Sequence, residues 1–319
     1  MTATWKLSLL SVTSAMMLLL ALMLGEHTVS LPDITRMLLQ HDAQDFVVWN
    51  HRLPRSLIAL LTGAAMGVSG ALVQGIIRNP LASPDILGVT QGAGLALSIA
   101  LLIFPTTPPE LLPLVAGIGG FCGAALLMSY HIDDFEPVRF ALTGIAISVT
   151  FSGITEFLLL THPTEVNTAL LSLTGSLWAR GWEQIWPAAS LVPMLIASLL
   201  LAKPLDLTAL GDQSAAALGV RMSCLRWCAL GLAVMMVSVS VSIVGPITFV
   251  GLVSPHIARR IVGGRHLQVL PAAAIIGAMI LLLSDTVGRA LMPPSEIPAG
   301  VLTAIVGAPY FLWLLYKVK

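Results

Sequence analysis

A small set of ionisable side chains lies inside long apolar runs of this chain. Glu156 falls near the end of one run, and Asp285 and Arg289 interrupt another. Asp285 and Arg289 are four residues apart, so a helix would place them on one face as an ion pair. Within a membrane, such groups face protein or water, where they line pathways or hold helices together. The sequence therefore predicts a structural ion pair at Asp285 and a position for Glu156 that avoids lipid.

Two stripes of small residues recur at four-residue spacing, which places each stripe on one face of a helix. The first stripe predicts close packing between helices, and it consists of Gly63, Gly67, Ala71 and Gly75. The second stripe is more polar and ends in a carboxylate, and it consists of Gly144, Ser148, Ser152 and Glu156. We interpret the second stripe as the lining of a pathway, although its small residues also suit helix packing.

The motifs of nucleotide binding and hydrolysis are absent from the sequence. It contains no GxxxxGKS/T, HExxH or GxSxG pattern, which excludes a P-loop, a zincin-type metal site and a nucleophile elbow. The three cysteines, Cys122, Cys224 and Cys228, lie in apolar runs without metal-ligand spacing, and the seven histidines are scattered. The sequence predicts no catalytic residue, no bound metal and no cofactor, which argues against an intramembrane enzyme.

The composition requires a lipid environment. Hydrophobic residues make up 56% of the chain and charged residues 10%, whereas a soluble domain carries about 25% charged residues. A helix needs roughly 20 apolar residues to cross a bilayer. Ten apolar runs occur, at 7–25, 56–77, 86–104, 111–130, 140–160, 184–202, 224–244, 247–258, 267–292 and 298–316. They predict an all-α integral membrane protein of about ten transmembrane helices in a single domain, 1–319, with the eighth run too short to span comfortably.

The distribution of positive charge predicts the orientation of the helices. The first run is longer than the apolar part of a signal peptide and is predicted to be a retained span. If the N-terminus is cytoplasmic, eleven of the sixteen Lys and Arg residues fall on the cytoplasmic side and five outside. Cytoplasmic loops carry the excess of Lys and Arg in membrane proteins. We therefore expect both termini, and the segment 206–220, on the cytoplasmic side.

The segment 206–220, "DLTALGDQSAAALGV", is unusually polar for this chain. Gly211 is predicted to break a first turn, Asp212 to cap a short helix at 213–218, and Gly219 to end it. A helix of about seven residues is unstable alone in water, and its alanines permit close contact with another surface. We interpret the segment as a docking helix for a cytoplasmic partner, with an ordinary amphipathic loop as the alternative.

Four long segments resemble the FecCD-type permeases, which import iron chelates, haem and cobalamin. The first is "LTALGDQSAAALGV" within 206–220, and the second is "HRLPRSLIALLTGAAMGVSGALVQGIIRNPLASPDILGV" at 51–89. The others are "GPITFVGLVSPHIARRIVGGRHLQVLP" at 245–271 and "SDTVGRALMPPSEIPAGVLTAIVGAPYFLWLL" at 284–315. The segments occur in the family's order and at its spacing, so the resemblance covers nearly the whole chain.

The resemblance implies a type II ABC importer permease with a cobalamin-permease-like fold. Spans two to five and seven to ten would form a pseudo-repeat, and two such subunits would enclose the pathway. Two separate cytoplasmic ATPase subunits would hydrolyse ATP, and a periplasmic binding protein would deliver the cargo. We expect a bacterial inner-membrane protein that pairs with a second, different permease subunit, and we expect no nucleic-acid partner.

The resemblance also implies roles for individual residues. Arg52, Arg55 and Arg289 match rim arginines that dock the binding protein, and Asn79, Pro80 and Leu81 match a cytoplasmic gate. The residues implied in ATPase coupling are Leu210, Gly211, Asp212, Ala215, Ala216, Leu218 and Gly219. The fifth and tenth spans and a short helix at 167–179 would line the pathway. If Arg55 faces an acidic group of the binding protein, the charge-reversing substitution Arg55→Glu should weaken docking of that protein and leave membrane insertion intact.

Three shorter segments bear on the cargo. Within the family, "RNPLASPDILGV", "LTGSLW" and "GGRH" resemble the permeases of ferric citrate import, which implies a ferric chelate, either ferric citrate or a siderophore complex. The same machinery with a cobalamin or haem cargo is the nearest alternative. A secondary transporter without an ATPase is a more distant one, because such a carrier has no need of a docking helix.

Overall fold

The computed structural model describes residues 3–25, 28–40, 46–131, 136–163, 166–293 and 295–317, and these residues form an all-helical bundle. Its α-helices are α1 (Ala3–Met23), α2 (Leu31–Gln40), α3 (Leu53–Ile77), α4 (Val89–Ser98), α5 (Leu112–His131), α6 (Pro137–Thr161), α7 (Val166–Leu173), α8 (Ile185–Ala189), α9 (Leu191–Ser198), α10 (Ala202–Thr208), α11 (Asp212–Ala217), α12 (Met222–Val244), α13 (Val250–Val262), α14 (His266–Leu291) and α15 (Ala299–Lys317). Short π-helical stretches, Phe46–Arg52 and Ile99–Ile103, precede α3 and follow α4.

The helices agree with the ten predicted apolar runs. Within the described residues, seven helical stretches are long and apolar enough to cross a membrane, and Val89–Ile103 and Ala299–Leu314 are shorter apolar helices. The tenth run corresponds to α15, and the short eighth run corresponds to α13, which has only 13 residues. The helix expected at 167–179 ends earlier, at Leu173, because Gly175 turns the chain with a φ of 67°.

Helix α3 is the centre of the bundle and is buried along nearly all of its length. Its glycine stripe brings other backbones into direct contact, since a Cβ at Gly63 would lie 2.5 Å from the carbonyl oxygen of Gly277 in α14. A Cβ at Gly67, the next glycine of the stripe, would overlap the carbonyl of Ala273 in α14. Small residues permit such close approach between membrane helices. The packing role predicted for this stripe is therefore confirmed.

The bundle has two ends, which are defined by the side chains that meet there. At one end, here called the coupling end, Arg78 after α3 contacts Asp212 in α11. At the other, here called the cluster end, Arg55 at the start of α3 contacts Asp285 near the end of α14. The first and last described helices both contact α13 at the coupling end. Lys6 of α1 donates to the Ile261 carbonyl of α13 at 2.5 Å, and the Arg260 guanidinium of α13 lies 5.1 Å from the ring centroid of Trp313 in α15. Residues 3 and 317 thus belong to helix ends on the same side of the bundle.

Candidate functional site

The predicted docking segment forms two short helices separated by a glycine. Helix α10 ends at Thr208, and Gly211, with a φ of 97°, precedes α11. The N-cap of α11 is Gly211 and not Asp212, which corrects the predicted capping role because the Asp212 side chain makes no cap hydrogen bond. Gly219, with a φ of 89°, ends the segment as expected, and its N–H donates to the Ala216 carbonyl at 2.9 Å.

One side of α11 packs against the bundle and the other is open. Ala215 is fully buried, whereas Ala216 and Ala217 are exposed. Leu210 and Leu218 flank them with more than half of their surfaces exposed, at 62% and 60%. Leu210, Ala216 and Leu218 are therefore open at the coupling end of the bundle, whereas Ala215 faces its interior, and the coupling role of this segment stays a prediction.

Asp212 fixes α11 to two longer helices. Its carboxylate accepts a hydrogen bond from Arg226 of α12 at 2.7 Å and pairs with Arg78, which follows α3. Arg78 adopts the left-handed conformation, with a φ of 55°, at the end of α3. No local pattern in the sequence indicates these two partners, because Arg78 lies 134 residues and Arg226 14 residues from Asp212 along the chain.

The predicted gate residues form a tight turn directly after Arg78. The Leu81 N–H donates to the side-chain oxygen of Asn79 at 2.9 Å, and the Ala82 N–H donates to the Asn79 carbonyl at 3.0 Å. Asn79 and Pro80 are exposed and Leu81 is half-buried. The gate turn and the docking helix are therefore adjacent, joined through the Arg78–Asp212 pair.

The polar stripe on α6 begins inside the bundle and turns outward. Gly144 is buried, the Ser148 hydroxyl donates to the Asp85 carbonyl at 3.2 Å, Ser152 is half-buried and Glu156 is exposed. The Asp85 carboxylate accepts hydrogen bonds from the Ser83 and Thr90 hydroxyls, which lower its pKa, while the larger effect of burial raises it. The stripe thus connects the segment after the gate turn to an exposed carboxylate, and its role as a pathway lining stays a prediction.

The three predicted docking arginines are buried at the cluster end, contrary to the expectation of cations open to a partner. Arg55 is 2% exposed and donates to Asp285 from Nε (3.0 Å) and Nη2 (2.7 Å), and from Nη1 to Glu296 (3.1 Å). Arg289 lies 3.2 Å from Asp285, as predicted from their spacing. Arg52 donates to the Leu22 and Met23 carbonyls of α1, at 2.9 and 3.1 Å.

This burial corrects the expectation for charge reversal at Arg55. A glutamate at that position would place a third carboxylate beside Asp285 and Glu296 without a buried counter-charge. Leaving a buried charge uncompensated is strongly destabilising. The change is therefore expected to impair folding, so uptake by that variant does not report on docking alone.

A cavity of about 640 Å³ lies next to this cluster. It is bounded by the end of α12, the turn after α7 and the residues that lead into α15. These chain segments are joined by hydrogen bonds from the Ser176 N–H to the Val244 carbonyl (2.8 Å) and from the Gly300 N–H to the Gly175 carbonyl (2.9 Å). The polar residues of its wall are Ser172, Ser176, Arg180, Ser242, Ser295 and Glu296.

Comparison with known proteins shows one consistent group of relatives. The model of the FecCD transport family matches residues 13–317. The chain is 49% identical to the Fe(3+) dicitrate transport system permease protein FecD of Escherichia coli over 275 residues, which are 86% of each chain. It is 45% identical to the Fe(3+)-citrate import system permease protein YfmE of Bacillus subtilis, over 88% of this chain and 85% of the relative. A solved metal-chelate type ABC transporter in an inward-facing conformation superposes with a TM-score of 0.86 at 32% identity, covering 99% of this chain and 100% of the other.

Proposed function

This chain belongs to the FecCD transport family, and we propose that it is the permease subunit of an ATP-driven importer that carries a ferric chelate from the periplasm to the cytoplasm. The relatives named for ferric citrate import support the cargo. The chain spans the membrane several times, and in this proposal its coupling end faces the cytoplasm. Both described terminal helices would then begin or end on the cytoplasmic side.

The observation that carries the proposal is the exposed surface of α11. Apolar side chains at Leu210, Ala216 and Leu218 are exposed at the end of a bundle that has no nucleotide-binding motif of its own. Such a surface gains stability when a partner covers it. We assign it to a separate cytoplasmic ATPase subunit, whose movement would reach α3 and α12 through Asp212.

The same contact suggests how an ATPase would act on the gate. Arg78 joins Asp212 to the last residue of α3 and directly precedes the turn at Asn79, Pro80 and Leu81. A displacement of α11 would therefore act on the base of this turn over a single ion pair. We propose that these three residues close the cytoplasmic end of the pathway.

The pathway itself would lie between this chain and a second permease subunit. Helix α6 leaves a broad apolar face exposed, including Leu142, Val149 and Phe157, and the stripe that ends at Glu156 runs along the edge of that face. A second subunit packed there would enclose the stripe. We propose, as the family resemblance implies, that this second subunit is a different chain and not a second copy of this one.

The buried arginines Arg52, Arg55 and Arg289 suggest an indirect role in docking of the binding protein. Their guanidinium groups hold α1, α3, α14 and the loop containing Glu296 together at the cluster end. We propose that the cluster shapes the periplasmic surface on which the binding protein sits. The arginines would then position that surface and contribute little direct attraction across it.

The experiment that tests the proposed function is an uptake assay in bacteria that lack their own ferric-chelate permeases. The chain is expressed with its neighbouring transport genes, and accumulation of radioactive iron supplied as ferric citrate is measured. Unlabelled ferric citrate, a ferric hydroxamate, haem and cobalamin are added as competitors. Competition by a ferric chelate supports the proposal, whereas competition by cobalamin or haem alone would assign the other cargo.

A further inference from the structure

Arg180 is an unpaired cation in the wall of the cavity at the cluster end. Its Nε atom is buried and has no hydrogen-bond partner. Among the residues that the structure describes, no carboxylate forms an ion pair with it. Arg180 as a whole is half-buried, and a buried donor without a partner is costly enough to require an explanation.

The carboxylates next to this cavity are already engaged by other arginines. The Glu296 carboxylate lines the same cavity, but it lies 2.8 Å from Arg55 and is engaged there. Arg55 and Arg289 together balance Asp285 and Glu296 in one cluster. Arg180 therefore leaves one uncompensated positive charge facing this cavity.

The shape and the lining of the cavity fit a small polar ligand. Its volume of about 640 Å³ falls within the roughly 300–1,000 Å³ of ordinary ligand sites. Ser172, Ser176 and Ser242 line the cavity together with Arg180 and supply hydrogen-bonding groups. Trp178 also lines the cavity and is 65% exposed, which leaves a flat aromatic surface accessible there.

The position of the cavity places it on the route that the cargo would take. Its wall includes the turn after α7 and the residues that lead into α15, the elements that the family resemblance assigns to the pathway. It lies at the cluster end, which is the periplasmic end under the proposed function. A ligand released by a binding protein at that end would meet Arg180 before the interior of the bundle.

We propose that this cavity is an entry site for the anionic cargo, in which Arg180 binds a carboxylate of the chelate. The inference rests on the proposed function and adds to it the charge of the cargo. A guanidinium group binds a carboxylate through two parallel hydrogen bonds and stays charged in a desolvated site. An acidic side chain of the binding protein is the competing ligand, but the buried Nε and the recessed position of Arg180 in the cavity wall favour a small molecule.

The test measures retention of ferric citrate, labelled with radioactive iron, by the complete permease–ATPase complex in lipid nanodiscs without binding protein. Arg180→Ala is expected to weaken retention about ten-fold or more, because a charge-assisted hydrogen bond is lost. Arg180→Lys should keep part of the affinity, since it retains the charge without the planar fork. Arg36→Ala, which removes an exposed arginine of α2, is the matched control and should bind as the wild type does.

Two further measurements separate the possible outcomes. Ser242→Asp leaves Arg180 in place, adds a carboxylate to the lining of the same cavity and should also abolish retention of an anion, which guards against a folding defect in the Arg180 variants. Capture of the binding protein by each complex is measured in parallel and should be unchanged. Equal retention by the wild type and Arg180→Ala, no saturable retention by the wild type, or loss of binding-protein capture with retention intact would each overturn the entry site. Uptake by the wild-type system is measured separately, so a failure of the proposed function can be distinguished from a failure of the entry site.

Discussion

Replacement of Asp285 by asparagine tests whether the cluster end is held by a buried charge network. Asp285 is 1% exposed and neutralises two guanidinium groups, with Arg55 Nη2 at 2.7 Å and Arg289 Nε at 3.2 Å. Asparagine keeps a hydrogen-bond acceptor but leaves an excess of buried positive charge. Removing one partner from a buried pair costs about 3–5 kcal/mol, and the retained acceptor places this change near about 3 kcal/mol.

The neighbouring carboxylate should behave differently. Glu296 has a side chain that is 25% exposed and, among the described residues, forms its ion pair with Arg55, so Glu296→Gln is expected to cost about 1 kcal/mol or less. Glu183→Gln, at an exposed position, is the control for loss of a negative charge and should have no measurable effect. The three variants therefore rank by burial and not by charge, which is the same in each.

The assay is thermal unfolding of the purified complex in detergent. The quantity measured at each temperature is the fraction of the complex that remains monodisperse. For a chain of 319 residues, a change of about 3 kcal/mol corresponds to a decrease in apparent Tm of about 4–5 °C. Asp285→Asn should show this decrease, Glu296→Gln about 1–2 °C at most, and Glu183→Gln none. An Asp285→Asn complex that melts together with the Glu183→Gln control would refute the buried network and restore the arginines as free docking cations.

Three further predictions concern the docking helix, the polar stripe and the glycine contacts. Ala216→Asp should leave the membrane level normal and abolish co-purification of the ATPase, whereas Ala215→Asp should lower the membrane level because that residue is buried; co-purification by Ala216→Asp at the wild-type level would contradict the docking surface. In a background without native cysteines, Glu156→Cys should react with a membrane-impermeant thiol reagent from the periplasm and Thr155→Cys, which is buried, should not; equal protection of both would remove the stripe from the pathway. Gly70→Ala should reduce folded protein severely, since its Cβ would overlap a carbonyl of α13, and a normal yield would show that the helices separate easily.

The transmembrane framework was predictable because it depends on local sequence. Apolar runs of about 20 residues have few structural solutions in lipid, and each predicted run coincides with a helix of the described chain. The pair of Asp285 and Arg289 followed from a spacing of four residues and is present. The docking segment was also predictable, since two glycines interrupt its helical pattern at positions where the chain adopts positive φ.

The contacts that define the candidate site were not predictable, because they join distant parts of the chain. Arg55 and Asp285 are 230 residues apart, and Arg78 and Asp212 are 134 residues apart. No local pattern reports such pairing, so the sequence suggested exposed arginines where the structure has buried ones. The isolation of Arg180 likewise depends on which carboxylates are engaged elsewhere, and only the folded structure determines that.

The most direct test of the central claim is iron uptake into proteoliposomes that contain this permease, its partner subunit and the ATPase. Binding protein loaded with ferric citrate is added at the periplasmic surface, and ATP or a non-hydrolysable analogue is supplied to the ATPase side. The account predicts accumulation of iron with ATP, none with the analogue, and none when Ala216→Asp replaces the wild-type chain. Accumulation driven by an ion gradient without ATP, at the same rate in the wild type and in Ala216→Asp, would contradict it and identify a secondary transporter.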